Sequence, residues 1–244
     1  MDLGIPIESL VSDCLVNGNW TLSHPRSERQ VQLHIYISTI TLSQGNDKII
    51  WRVDGLPREK FISKEIWNYT RQRKHPCSWA SLVWHPAAVP KHAINSWLFI
   101  LNRNPTMDRL LSWGLDVEGI CLLCGTHQES RNHLFFECAF SAEVWRAALL
   151  HLRVYNAPTS WESVIDWLSA FSGDRQHKLV VLQIWQGCLY EIWKERNSRF
   201  HLGTSVLPSK ISDGVIRIAR SKAVALKNSG RQLGTDLVSF WSVA

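Results

Sequence analysis

The hydrophobic rhythm changes several times along the chain. Over 1–46, short apolar groups alternate with polar breaks; helical spacing there is confined to 27–39, which would turn Val31, Leu33 and Ile35 inward. The run Asp47-Lys-Ile-Ile-Trp-Arg-Val53, followed by Asp54-Gly-Leu-Pro57 and Lys60-Phe-Ile62, predicts a strand, a turn and a second short strand, hence one small β-hairpin. Helical signals dominate afterwards: 63–73, 91–103 behind Pro90, and 106–113 between a capping Thr106 and Gly114. Beyond a cysteine-rich stretch, Ser141 is expected to cap a helix to about residue 153 and Ser160 another over 161–171. Asp174 opens the longest segment, 175–201, where Val181, Trp185, Cys188, Leu189, Ile192 and Phe200 recur at amphipathic spacing; Gly187 weakens that helix without breaking it. Pro208 starts a final helix to about residue 228, with Ile211, Val215, Ile218, Ala219, Ala225 and Leu226 on one side and basic residues on the other. The predicted fold class is mainly α, a helical module with one small β-hairpin.

Composition narrows this picture. The 244 residues are 45% hydrophobic and 20% charged with 13 Gly and 9 Pro, which excludes collagen-like and disordered classes and predicts a folded chain with a real core. The longest nearly apolar stretch, 179–190, is interrupted by Gln183 and Gln186 and falls short of the roughly 20 residues a bilayer requires, so no membrane association is expected. No basic residue precedes Arg26, which predicts no signal or transit sequence and an intracellular location. The net charge of +6 is unevenly placed: 191–244 holds nine Lys/Arg against four acids, while the first 190 residues are nearly balanced at 18 against 17. A polyanionic partner is therefore expected at the C-terminal end. A phosphate-binding glycine loop, a nucleophile elbow, a His-Glu-x-x-His helix and a dinucleotide fingerprint are all missing from the sequence, which predicts neither an enzyme nor a small-molecule substrate.

Three of the six cysteines fall within eighteen residues, as Cys121-x2-Cys124-x8-His133-x4-Cys138. Tetrahedral Zn²⁺ takes four such ligands, and Cys-x-x-Cys supplies two corners from one tight turn for which Gly125 is suited. Buried thiols beside an unrelated histidine are one alternative; a disulfide framework is another, disfavoured inside cells and leaving His133 idle. Four protein ligands close the shell, so one structural rather than catalytic zinc is expected. His133 and Cys138 lie about 140° apart on an ideal helix, so the segment must unwind near Cys138. Glu129, four residues before His133, is the expected partner of its imidazole.

Three thiolates on Zn²⁺ leave a local charge of −1, so any phosphate must be attracted by neighbouring cations. Arg103, Arg109, Arg131, Arg146 and Arg153 flank the motif, either as a basic rim or as partners of Glu129, Glu137 and Glu143. In the last helix Arg217, Arg220 and Lys222 form either a solvated face or a second phosphate contact. Of the 13 tryptophans, Trp51, Trp67, Trp97, Trp145, Trp167, Trp185 and Trp193 are expected in the core, and Trp113 is the better candidate for base stacking. Cys14, Cys77 and Cys188 read as structural thiols.

Several of these residues together resemble a family. Asp47-Lys-Ile-Ile-Trp51, Trp79 to Trp84, Pro90-Lys91-His92, Trp97-Leu-Phe-Ile-Leu-Asn-Arg103-Asn-Pro-Thr106-Met-Asp-Arg109-Leu, Trp113-Gly114, Cys121-Leu-Leu-Cys-Gly125, Glu129-Ser-Arg-Asn-His133-Leu-Phe-Phe-Glu-Cys138, Val144-Trp145 and Ile192-Trp193-Lys-Glu-Arg196-Asn197 are similar to the zinc-binding domain that follows the polymerase in plant LINE-type (non-LTR) retrotransposon reverse transcriptases. The resemblance implies a CCHC zinc knuckle with Cys121, Cys124, His133 and Cys138 as ligands. It also implies a nuclear module that helps a retroelement enzyme handle RNA and single-stranded or duplex DNA. The sequence has no Tyr/Phe-x-Asp-Asp polymerase motif and no identifiable ribonuclease H carboxylates, so it looks like an excised piece. The expected organisation is a lead-in segment at 1–46, the zinc-binding domain at 47–156, a helical extension at 157–205, and a basic helix and tail at 206–244. Alternatives are a structural or protein-interaction module docking on a separate reverse transcriptase, or a decayed retroelement fragment.

Overall fold

Asn17-Gly18 and Asp54-Gly55 each place two consecutive residues at positive φ (50° and 80°; 52° and 73°), the backbone of a two-residue hairpin turn. Around them the first of two units, Met1–Lys74, builds its sheet structure. The structure is a computed structural model describing residues 5, 6, 8–41, 49–72 and 75–243. Strands β1 (Leu15–Val16) and β2 (Asn19–Trp20) pair antiparallel across the first turn, and β3 (Trp51–Val53) and β4 (Leu56–Arg58) across the second, with Trp51 opposite Arg58. The second hairpin is the expected one with an earlier return strand. The two-residue turn starts β4 at Leu56, so Lys60-Phe61-Ile62 is not a strand and Ile62 instead precedes helix α2 (Ser63–Thr70). Asp47 and Lys48 lie outside the described residues. Helix α1 (Glu28–Ser38) begins where Ser27 Oγ accepts the Gln30 amide at 3.3 Å, but its apolar face is not covered: Val31 and Ile35 are exposed, contrary to expectation.

The second unit, His75–Ala244, is helical. Helices α3 (Ala80–Val83), α4 (Pro90–Ile100) and α5 (Met107–Ser112) precede the cysteine-rich segment, and α6 (Ala139–Leu150), α7 (Trp161–Ala170), α8 (Arg175–Leu202), α9 (Pro208–Asn228) and α10 (Gln232–Val243) follow it. Asp174 Oδ1 caps α8 by accepting the His177 amide at 2.7 Å, and Gly203 at φ 65° ends it. Helix α8 is the axle of the unit, packing against α3, α4, α6, α9 and α10. It is not one-sidedly amphipathic as predicted: every residue from 179 to 189 is buried, Gln183 and Gln186 included. Each amide nitrogen finds a carbonyl across the packing, Gln183 Nε2 donating to Ala87 O at 2.6 Å and Gln186 Nε2 to Val83 O at 2.8 Å, while both Oε1 atoms are buried without a hydrogen-bond partner among the described residues. Gly187 has a packing role, since a Cβ there would stand 2.8 Å from Val215 Cγ1 on α9.

The C-terminal helix forms over the predicted span, with Ala225 exposed and Ile216 and Ala223 buried in its place. Helix α10, unforeseen from the pattern, folds back onto α9 and α8. Residues 157–205 and 206–244 share one core with the segment carrying the cysteines. Among the tryptophans expected inside, Trp145 and Trp185 are 0% exposed, and Trp97, Trp167 and Trp193 pack partly buried against the core. Trp51 and Trp67 are instead 42% and 63% exposed. Among the described residues no helix is long and apolar enough to cross a membrane.

Candidate metal centre

The first half of the site is a tight loop closed by backbone hydrogen bonds. Cys121 N donates to His127 O and Gly125 N to Cys121 O, both at 2.8 Å, and Ile120 bridges Gln128 antiparallel. Gly125 sits at φ 69°, so the turn that brings Cys121 and Cys124 together needs the residue the sequence supplies.

The second half solves the five-residue spacing by widening the helix. His133–Glu137 is a π-helical turn in which Cys138 N donates to His133 O at 2.7 Å, and Cys138 leaves it extended at ψ 130°. The predicted unwinding is there, but the next helix starts at Ala139 with Cys138 as its N-cap residue rather than at Ser141, whose hydroxyl is buried inside α6 without a hydrogen-bond partner. Leu134, Phe135 and Phe136 fill the core beneath the turn at 0% exposure, so the ligand geometry and the packing are one structure.

The four ligand atoms of Cys121, Cys124, His133 and Cys138 all lie within 4.8 Å of one another. Cys121 Sγ is 4.0 Å from Cys138 Sγ, and Cys124 Sγ is 3.3 Å from His133 Nε2. A tetrahedron with Zn–S near 2.3 Å and Zn–N near 2.0 Å has edges of about 3.5–3.8 Å, so the donor set fits one zinc with no open position, a structural site. Two of the three thiols are shifted towards the thiolate form that a zinc ligand takes. Burial opposes ionisation of Cys124, but the Thr126 hydroxyl and amide, His133 and the His127 amide outweigh it and bring its pKa down to about 5. Cys138 is lowered to about 6, first by its hydrogen bond from Cys121 and then, against burial, by the Ser141 and Phe140 amides at the start of α6. Cys121, donor in that bond and buried, is pushed up.

Glu129 does not orient His133, whose ring stacks on His127 at 5.2 Å. Fully buried, Glu129 takes the Arg196 guanidinium (Nη2–Oε1 3.0 Å, Nε–Oε1 3.1 Å) and the Met107 amide at 3.0 Å. Its own backbone joins the loop, Glu129 N donating to Gly119 O and Glu129 O accepting Asp108 N. One turn later on α8, Arg199 Nη1 donates to Leu122 O and Leu123 O at 3.1 Å each while its Nε pairs with Glu195 at 2.9 Å. Two arginines of α8 thus clasp the loop that carries Cys121 and Cys124. Sequence reasoning singled out the Trp193-Lys-Glu-Arg196-Asn197 run without this role; a paired Arg at i and i+3 on a helix was the available signal.

The cationic candidates are placed differently from one another. Arg131 is occupied internally: its guanidinium lies 4.3 Å from the Trp161 ring, donates to Ile100 O and Asn132 Oδ1, and pairs with Glu162 at 3.7 Å. Arg103, between α4 and α5, and Arg146, on α6, are exposed. Arg109 lies over the Trp113 ring at 5.1 Å. Arg217 and Arg220 share an open groove of about 610 Å³ along α9 with His151, Asp213, Ile216 and Val224, Arg220 stacking on Trp241; Lys222 is half-buried. Of the other thiols Cys188 is buried, Cys14 half-buried and Cys77 exposed.

Residues 61–145 match the family described as zinc-binding in reverse transcriptase, and all four ligands fall within that span. The similarity to that family is confined to this stretch of the chain, and Arg196 and Arg199 lie beyond it. No curated protein and no solved structure matches the chain.

Proposed function

We propose that this chain, carrying a zinc-binding domain of reverse-transcriptase type, is a non-catalytic nucleic-acid-binding module of non-LTR retroelement origin that works in the nucleus. The observation that carries the reading is how its arginines divide. Arg131, Arg196 and Arg199 are held by carboxylates and carbonyls, whereas Arg103, Arg109, Arg146, Arg217 and Arg220 form no ion pair among the described residues. Cations without a carboxylate partner, on a framework fixed by zinc, are what a phosphate backbone requires. The proposed contact set is Arg103, Arg109, Arg146, Arg217, Arg220 and Lys222, with Arg131 in a structural role.

The test is fluorescence-anisotropy binding of the zinc-loaded chain to single-stranded RNA, single-stranded DNA and duplex DNA across a salt series. Affinity should fall log-linearly with salt, about 0.7–0.9 log units per phosphate neutralised, and Arg217→Ala with Arg220→Ala should flatten the slope. No binding to any of the three at low salt would overturn the reading. A second reading, docking on a separate reverse transcriptase, is favoured by the exposed apolar surface of the first unit, where Ile49, Ile50, Trp51, Phe61 and Trp67 face solvent.

A further inference from the structure

Trp84 and Trp113 are the exposed tryptophans of the second unit; Trp84 lies 6.3 Å from the Trp97 ring, and the one at the end of a helix tied to the metal loop is Trp113. Its ring is 55% exposed at the C-terminal end of α5, yet its backbone is fixed: Trp113 N donates to Arg109 O at 3.0 Å, and Leu115 N closes back on Leu110 O at 3.1 Å through Gly114 at φ 80°. The other end of α5 is bound to the metal loop, since Met107 N donates to Glu129 Oε1 and Asp108 N to Glu129 O. Glu129 lies between Cys124 and His133 in sequence, so closing the zinc loop also positions the helix that presents Trp113. An exposed indole on so constrained an element pays little ordering entropy when something stacks on it.

What stacks on it follows from Arg109. The guanidinium covers one side of the ring at 5.1 Å and has no ion pair among the described residues, and its buried Nε has no hydrogen-bond partner. The Asp108 carboxylate beside it is engaged by the Thr106 hydroxyl and the Arg109 amide. The pair therefore offers a cation next to an aromatic face, with half-exposed Leu111 and Leu115 on either side in sequence. A planar ring attached to an anion matches both groups at once, and a nucleotide has this form. In a duplex the faces of internal bases are already stacked; in a single strand they are available.

We infer that Trp113 and Arg109 form a nucleotide seat for single-stranded nucleic acid, the indole stacking on an unpaired base and the guanidinium taking an adjacent phosphate. This rests on the nucleic-acid reading above and specifies the strand and the contact. The pair discriminates by strandedness rather than by sequence, because every base has a face to stack.

The test compares the zinc-loaded full chain with Trp113→Ala, Trp113→Phe and Arg109→Ala, using fluorescein-labelled 12-nucleotide single strands of RNA and DNA and a 12-base-pair duplex, with zinc content and thermal midpoint measured for each variant. Trp113→Ala should weaken single-strand binding about 5- to 150-fold with an unchanged salt slope and leave duplex binding within about 2-fold. Trp113→Phe should retain most of the affinity, and Arg109→Ala should reduce the slope by about 0.7 log units. Trp113→Ala binding single strands as tightly as the parent would overturn the seat while leaving the nucleic-acid function standing. Equal losses on single strand and duplex would also overturn it, and a parent chain that binds no nucleic acid at low salt would remove both readings together.

Discussion

In the first unit Ile35, Trp51, Phe61 and Trp67 are each at least 42% exposed, whereas in the second Phe135, Trp145, Ile184 and Trp185 are all at 0%. The residue types are alike, and what differs is the number of surfaces that close over them. Among its described residues the first unit has two short strand pairs, two short α-helices and one 3-10 turn at Val11–Cys14, and Gln30 alone is buried. The second wraps its helices around α8 and ties a metal loop to that axle through Arg196 and Arg199. A hydrophobic side chain contributes to stability only when another layer removes it from water, so apolar content by itself does not measure a core.

The strongest way to break the contrast is to remove the metal. Chelation, or Cys124→Ser, should abolish the cooperative thermal transition of the second unit, because zinc-ligand geometry and the packing of Leu134, Phe135 and Phe136 share one π-turn; circular dichroism melting with zinc quantification checks this. Next, Trp145→Ala should cost about 3–5 kcal/mol in denaturant titration while Trp67→Ala stays within about 0.5 kcal/mol. Glu129→Gln leaves the Arg196 charge buried without its counter-ion and should cost about 3 kcal/mol, with faster zinc loss to a chelator as a second readout.

The smallest effect concerns acid. Burial lowers His85 and His92 to about 4 from 6.5, with the charge of Lys91 adding to the shift at His92. A depressed histidine pKa means the neutral form is favoured in the folded state, so its stabilisation is complete above 6.5 and declines as pH falls from 6.5 towards 4. By about pH 5.5 each should have cost about 1 kcal/mol. His92→Phe, which can keep the stack on Tyr190 at 4.6 Å, should flatten that decline, with zinc content measured in parallel to separate ligand protonation.

Local features were legible in the sequence and distant ones were not. The four zinc ligands announced themselves by spacing, and α9 by Pro208 at its start with periodic apolar residues behind it. The unwinding at Cys138 followed from helical geometry, although the cap it created was Cys138 itself rather than Ser141. The all-round burial of α8 was hidden by Gln183 and Gln186, polar residues whose partners are carbonyls roughly a hundred positions away. Glu129 was assigned to His133 because they are neighbours in sequence, while its real partner, Arg196, lies 67 residues on. Val31 and Ile35 had the right spacing for burial, but no layer among the described residues covers them.

The clasp formed by α8 also imposes an order on biosynthesis. Cys138 completes the ligand set sixty-one residues before Arg199 is made. At about 5–20 residues per second that is an interval of about 3–12 s in which the knuckle leaves the ribosome without its fastening. A nascent chain that acquires zinc in that window presents Leu122 O and Leu123 O already in place when α8 arrives. One that does not must assemble the axle around a loop of three unprotected thiols, open to oxidation before the fold can cover them.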